Sequence, residues 1–376
     1  MTAPRDTTLS SLLPRYRPSK LFTPPSASHS HFTSLDFSDD GTHLITTTTG
    51  ETLELYDVSK GTHTRTLFSK KYGCHLARFT HTNNTVIYAS TKENDTIRYL
   101  SLHDNSFIRY FKAHTSKVNC LEVSPVDDQF ISCSHDGTAK LWDLKSQHAH
   151  GSVSIPGTTL AAFDPSGIIF ALASYQTSSI MLFDLRNYDK APFQTFSITD
   201  DAFLSAYSYP PRMPTWQKLE FSNDGKLMLL GTRGQAHYVV DSFSTSTNKF
   251  LWRLQRKGPT TPSAGEGLNS GDVTFTPDGR YVVGGQMNGG VAAWDVLRGG
   301  DEKKTVQPWV ELKEQMGTGG SGGMGGNQAQ RGTNNALVAF SPKVNVMVTA
   351  DREALFWIPE QHAPDPPADR QAAAAR

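Results

Sequence analysis

The stretch "SCSHDGTAKLWD", residues 132–143, opens on Ser132 and holds two acidic residues and a tryptophan, and His114 lies eighteen positions upstream of that serine. Ser132, His114 and Asp136 are the three residue types of a hydrolytic triad. Together with Trp142 they are equally the members of a hydrogen-bond network that only holds a sheet together. A nucleophilic serine needs an exposed place on a sharp turn and an oxyanion hole beside it. Ser132 instead follows "QFI" inside an alternating, strand-like run. The sequence favours the network, and with it a protein that is not an enzyme.

The surrounding sequence repeats the same design. "KVNCLEVSPVDDQFISCSHDGTAKLWDL" (117–144) has counterparts at 32–58, 74–102, 159–185, 216–242, 272–296 and 336–359, which makes seven units. Each unit begins as an alternating strand ending in "FS", "FT", "VSP" or "FDP". A turn with Asp, Asn or Gly follows, then a β-branched strand, a second turn and a third strand. Asp40-Gly41, Asp224-Gly225 and Asp278-Gly279 supply the positive φ that tight hairpins need. A more polar fourth strand is expected after each, as in "HTRTLFSK" (63–70), "SFIRYFK" (106–112) and "APFQTFSI" (191–198).

The positions equivalent to Trp142 are Tyr56, Leu100, Phe183, Val240, Trp294 and Trp357. The first intervals are about 41 to 44 residues, the period of four-stranded WD-repeat blades. Seven such sheets cover one another's faces only by radial stacking, so the fold predicted is an all-β, seven-bladed β-propeller. In such a blade His114, Ser132, Asp136 and Trp142 form the structural tetrad. Trp357 keeps Asp351, with Met347 expected in the hydroxyl position. "SKLF" at 19–22 is expected to supply the outer strand of the last blade and to close the ring.

The predicted organisation is a flexible segment 1–17, a propeller 18–360 and a disordered tail 361–376. Loops are inserted at 199–214, 244–268 and 298–335; the last holds a strand-like "VQPWVEL" and a glycine-rich tract from Gly317 to Gly326. That tract lacks the order of a phosphate-binding loop and reads as flexible coil. Lys plus Arg is 36 and Asp plus Glu is 36, so bulk charge draws the chain to neither nucleic acid nor membrane. The three cysteines show no paired spacing, and two lie in apolar runs, which fits a reducing compartment. No cofactor and no metal are expected; His148 and His150 have no Cys or carboxylate partners near them in sequence.

Electrostatic recognition must then come from a local patch. Lys70, Lys71 and Tyr72 enter the second blade and Lys92 sits in its turn, while Lys112 and Lys117 flank the entry to the third. These residues predict a positive sector on one rim, suited to an acidic or phosphorylated peptide. Arg98 and Tyr99, with Arg109 and Tyr110 opposite, are expected to form a side-face contact or to pack cross-strand.

"FSKKYG", "NDTIRYLSLHDN", "IRYF", "SPVDDQFIS", "LWDL", "FDPSGIIFA", "FSNDGK" and the ending "FWIP" together resemble one WD-repeat family. It is the subunit shared by the COMPASS histone methyltransferase and the cleavage and polyadenylation factor, here of fungal type. The resemblance runs from about 16 to 360, and "NDTIRYLSLHDN" is its most specific element. It implies a nuclear, noncatalytic adaptor that links histone lysine methylation and transcription termination to transcribing RNA polymerase II. The partners it implies are the N-terminal region of the SET-domain catalytic subunit, other COMPASS subunits and the phosphorylated polymerase tail. It also implies subunits of the polyadenylation assembly, including a phosphatase-associated scaffold. It implies no membrane partner and no direct sequence-specific contact with nucleic acid. A WD-repeat adaptor of another system, such as a ubiquitin ligase, is the alternative.

Overall fold

A computed structural model describes residues 8–24, 30–244, 250–257, 271–286, 290–312 and 337–360. They form seven sheets, six with four strands and one with five, arranged as the blades of a β-propeller. Blade three shows the plan: Val118–Val123, Gln129–Ser134, Thr138–Asp143 and Gly151–Ser154 pair in sequence order, all antiparallel. The expected fourth strands are present at Thr62–Phe68, Phe107–Phe111 and Gln194–Ser197.

The first hairpin of a blade is built by a short code. In blade one Ser38 Oγ donates to Asp40 Oδ1 (2.7 Å), and the same oxygen accepts from Thr42 N–H (2.9 Å). Thr276–Asp278–Arg280 and Ser222–Asp224–Lys226 repeat the arrangement. Gly41 follows with φ 69°, and a Cβ there would stand 2.4 Å from Ser341 Oγ of blade seven. The glycine is required both by the turn and by the neighbouring blade.

The innermost strands would leave open edges on the central channel, and side chains of one blade cover the edge of the next. Asp36 Oδ2 accepts from Phe79 N–H (2.7 Å), and Asp272 Oδ2 accepts from Val338 N–H (3.0 Å). Asn119 Nδ2 donates to Thr159 C=O at 2.6 Å. Between blades, rows of fully buried side chains interlock, each contributing about 1.5–3 kcal/mol over an exposed one. Trp142 lies in such a row, stacked on Phe130 with centroids 5.8 Å apart.

Ring closure uses a longer clasp than "SKLF". The strand Tyr16–Phe22 pairs antiparallel with Ala354–Pro359, so both chain ends build blade seven. Residues Leu9–Leu12 form a helical turn, and Leu13 and Tyr16 are buried against Tyr281, Leu355 and Trp357. The ordered ring therefore starts well before residue 18, because an apolar turn seals the interface of blades six and seven. Lys20 Nζ completes the clasp by donating to Gly61 C=O of blade one at 2.6 Å.

The expected single strand "VQPWVEL" is instead divided between two blades. Thr305–Val306 adds to blade five as a parallel fifth strand, and Val310–Leu312 is the outer strand of blade six. Pro308 separates them, and Trp309 stacks on Tyr281 at 5.0 Å. The insertion thus staples two blades together at their outer edges. Residues 1–7, the tail 361–376 and the tract 317–326 lie outside the described residues.

Candidate partner-binding site

His114 Nδ1 stands 2.9 Å from Asp136 Oδ2, and its Nε2 is 2.7 Å from Ser132 Oγ. Trp142 Nε1 donates to that same oxygen at 2.8 Å. The carboxylate can only accept, which places the imidazole proton on Nδ1 and makes Nε2 the acceptor of the Ser132 hydroxyl. The chain of donors then runs from Trp142 to Ser132 to His114 to Asp136. Ser132 is fully buried and its oxygen already accepts from an indole. A reacting carbonyl has no approach to it.

Replacing Ser132 with alanine strands a buried N–H and a buried ring nitrogen. The expected cost is about 2–4 kcal/mol, read as a lowered urea midpoint. A change below about 0.5 kcal/mol would show that the network carries no weight.

In blade seven the hydroxyl of the network is Thr349, not Met347: Trp357 Nε1 donates to Thr349 Oγ1 at 2.9 Å. Met347 pairs directly opposite Trp357, and the hydroxyl position lies two residues further on, as Ser132 does from Phe130. Asp351 meets His31 Nδ1 at 3.1 Å, and His31 belongs to the entry of blade one. This pair crosses the seam where the ring closes.

The buried histidines give stability a pH dependence. Burial pushes His75 down to about 4, and the charges of Lys117 and Arg78 add to it. Burial also depresses His114, against the pull of Asp136, and His237, which Arg256 depresses further. Each ring is neutral in the fold and takes a proton near its ordinary value, about 6.5, once unfolded. Their contribution is therefore present above about pH 6.5 and lost as pH falls towards the folded values.

Asp36 works the other way. Burial raises it to about 7, so its contribution is present at low pH and lost as the pH rises through that value. For the rings, His75→Gln should therefore reduce the fall in thermal midpoint between about pH 7.5 and about pH 5, measured beside the unmodified protein. An unchanged difference between the two pH values would contradict this assignment.

The predicted basic sector resolves into a compact box over the outer part of blades one and two. Its centre is Arg98, only 4% exposed, whose Nε donates to Ser90 Oγ at 2.8 Å. The guanidinium carbon lies 3.5 Å from the Tyr72 ring centroid, 5.2 Å from Tyr110 and 5.4 Å from Phe107. A buried cation is costly unless compensated, and three ring faces supply part of that compensation. Among the described residues no carboxylate is ion-paired to it.

A β-bulge makes the box. Tyr99 pairs with Arg109 but Leu100 pairs with Phe107, which leaves Ile108 as an extra residue. Phe107 and Tyr110, three positions apart, thereby share the face of Arg98 and sit 5.4 Å from each other. Lys71 Nζ lies 5.1 Å from the Tyr72 ring, Lys112 Nζ 5.9 Å from Tyr110 and Lys70 Nζ 5.6 Å from Phe68. Phe68 is 61% exposed, so the cations border an open apolar surface.

Not every predicted residue joins. Lys92 stands at the edge, ion-paired to Glu51 at 2.6 Å. Tyr99 faces away and packs with the cluster of Phe111, Leu121 and Trp142 towards blade three. Arg109 likewise leaves the box and donates to the Leu144 carbonyl. The pairs Arg98–Tyr110 and Tyr99–Arg109 are thus cross-strand neighbours on opposite faces. Lys117 stands near the channel-lining His75, whose proton affinity it lowers, and makes no contact with the rings. Phe107 and Phe68 were not foreseen, because a bulge leaves no mark in an alternating pattern.

The sequence model of the family described as WD domain, G-beta repeat matches residues 105–143, the segment that carries the complete tetrad. Several relatives match nearly the whole ring. COMPASS component SWD2 of Saccharomyces cerevisiae is 34% identical, over 92% of this chain and 95% of its own. WD repeat-containing protein 82 of Drosophila melanogaster is 35% identical, over 87% of this chain and 90% of its own. Set1 complex component swd2 of Schizosaccharomyces pombe is 33% identical, over 86% and 92% respectively.

Proposed function

The chain belongs to the WD-repeat family of COMPASS component SWD2 and WD repeat-containing protein 82, and from that premise we propose that it is a noncatalytic scaffold subunit of a COMPASS-type histone lysine methyltransferase. The observation that carries this reading is extent. The likeness to SWD2 covers 95% of that protein, so the whole ring is shared rather than one common repeat. On this reading the ring of seven blades acts by holding partner segments at fixed places.

The finer part of the proposal is a second assignment. The chain also serves the phosphatase module of the cleavage and polyadenylation factor, and it works in the nucleus on transcribing RNA polymerase II. The Arg98 box, bordered by Lys70, Lys71 and Lys112, is the face that receives an acidic or phosphorylated partner segment. Charge-assisted hydrogen bonds come from the bordering lysines, and the buried Arg98 holds Tyr72, Phe107 and Tyr110 in place beneath them, so binding needs little reorganisation.

Affinity purification of the tagged chain from nuclear extract tests both assignments. Recovery of the SET-domain subunit with its companions supports the first, and recovery of polyadenylation factor subunits supports the second. Recovery of neither set, or of ubiquitin ligase subunits in their place, would overturn the reading.

A further inference from the structure

His114, at the entry of blade three, reaches Asp136 in the turn between second and third strands, so entries and those turns share one rim. The turns between first and second strands stand at the other ends of the strands and form the opposite rim. In blade two this turn, residues 80–84, lacks the Asp-Gly pair of blades one, five and six. It reads Thr80-His81-Thr82-Asn83-Asn84 and puts His81 where blade one has Asp39.

The His81 ring reaches both neighbouring turns. Its Nδ1 stands 2.9 Å from Asp39 Oδ2 of blade one, and its Nε2 stands 2.9 Å from the Asp127 carbonyl oxygen of blade three. Beside it Asn83 Nδ2 donates to Asp40 Oδ2 at 2.7 Å, a second tie to blade one. A carboxylate and a carbonyl can only accept, and a neutral imidazole carries a single N–H. Both contacts are therefore satisfied only by the imidazolium, with a proton on each nitrogen. His114 differs, because one of its partners is the Ser132 hydroxyl, which can donate to a neutral ring.

The surroundings agree with a charged ring. Burial lowers its proton affinity, but the hydrogen bond to Asp39, the Asp127 carbonyl and the charges of Asp39 and Asp128 outweigh it and hold His81 above the ordinary value. Asp128 is itself ion-paired to Lys145 at 2.9 Å, which offsets part of its pull. The His81 side chain is 28% exposed, so protons exchange with solvent. The comparable tie between blades five and six is an amide, Asn223 Nδ2 donating to Pro277 C=O at 2.6 Å, and it does not titrate.

We propose that His81 is a proton-operated latch. While its ring carries both protons it ties the turns of blades one and three to that of blade two, and when one proton passes to solvent the turn of blade three is let go. The remaining proton stays on Nδ1, since the Asp39 carboxylate is the stronger acceptor. Nε2 then turns a lone pair towards the Asp127 carbonyl, and two acceptors repel. A folded value above the ordinary one, about 6.5, makes the contribution of the latch complete below about pH 6.5 and lost as pH rises through the folded value. This sense is opposite to that of His75, so a single rim loosens on the alkaline side while the core histidines are at their most stabilising.

The test uses the full-length chain with isotope-labelled histidine. Long-range proton–nitrogen NMR between about pH 5 and pH 8 reads both ring nitrogens of His81, and the resonance is assigned by its loss in His81→Gln. The expected result is a ring protonated at both nitrogens with a midpoint above about 6.5, which Asp39→Asn lowers. The Gln129 N–H, bonded to Asp127 Oδ1 at 3.2 Å, reports the turn of blade three. Its protection against exchange, corrected for the intrinsic effect of pH, should fall at least about threefold through that midpoint and stay level in His81→Gln. A midpoint at or below about 6.5, or Gln129 protection that does not follow the titration, would overturn the latch. Neither readout involves the Arg98 box or a partner, so the adaptor reading stands or falls separately.

Discussion

Replacing Asp200 with alanine is expected to lower the unfolding free energy by about 3–5 kcal/mol, among the largest losses available to a single polar substitution here. Asp200 and Arg253 are 7% and 8% exposed. Arg253 Nε and Nη2 hold both carboxylate oxygens, Nη1 donates to Thr305 Oγ1 at 2.9 Å, and Tyr238 Oη donates to Asp200 at 3.3 Å. The Phe203 ring lies 4.3 Å from the guanidinium carbon.

Removing the carboxylate leaves a cation in an apolar site with Thr305 as its only remaining hydrogen-bond partner described there. Replacing both partners by apolar groups of similar size removes the uncompensated charge. Asp200→Ala with Arg253→Met should therefore recover most of the loss. Urea unfolding of the two variants decides the matter. A single-variant loss under about 1 kcal/mol, or no recovery in the double variant, would contradict the role assigned to the pair. The pair ties together the connection 199–214, the outer strand of blade five and the strand Thr305–Val306, so its loss should also raise amide exchange in all three.

Arg98→Ala is expected to weaken binding of the acidic partner segment by about 30-fold or more, the range of an interface hot spot. Arg98→Lys separates charge from shape. A lysine keeps the cation but loses the planar fork and the stacking on Tyr72, and should recover only a small part of the affinity. Changing Lys70, Lys71 and Lys112 together to glutamate acts differently. These side chains are exposed, the fold should be unaffected, and the loss should appear mainly in the association rate and in its salt dependence. Isothermal titration at two salt concentrations and stopped-flow kinetics check these expectations. An Arg98→Ala protein that is folded and binds normally would remove the box from the account.

What the sequence revealed follows the distance between the residues that cooperate. His114, Ser132, Asp136 and Trp142 fall within one repeat, and their types and order announce the network that joins them. The seven-fold plan was legible for the same reason, since each blade is a local unit. The Asp200–Arg253 pair spans 53 residues, and its acid lies in a polar, proline-bearing connection that reads as solvent-exposed. The Arg98 box depends on a bulge at Ile108, which strict alternation would have placed differently and which brings Phe107 to the guanidinium. The assignment of Met347 failed by two positions because only strand register, not residue type, says which side chain faces the indole of Trp357. "VQPWVEL" read as one strand because a proline between two blades leaves the same apolar pattern as a proline at a strand edge.

The most direct test is the binding of this purified chain to the purified N-terminal region of the SET-domain methyltransferase subunit from the same source. The account predicts a one-to-one complex that the Arg98→Ala substitution weakens at least about 30-fold while the thermal midpoint still reports a folded ring. Absence of a complex with the unmodified protein, or a complex that Arg98→Ala leaves unchanged, would contradict it.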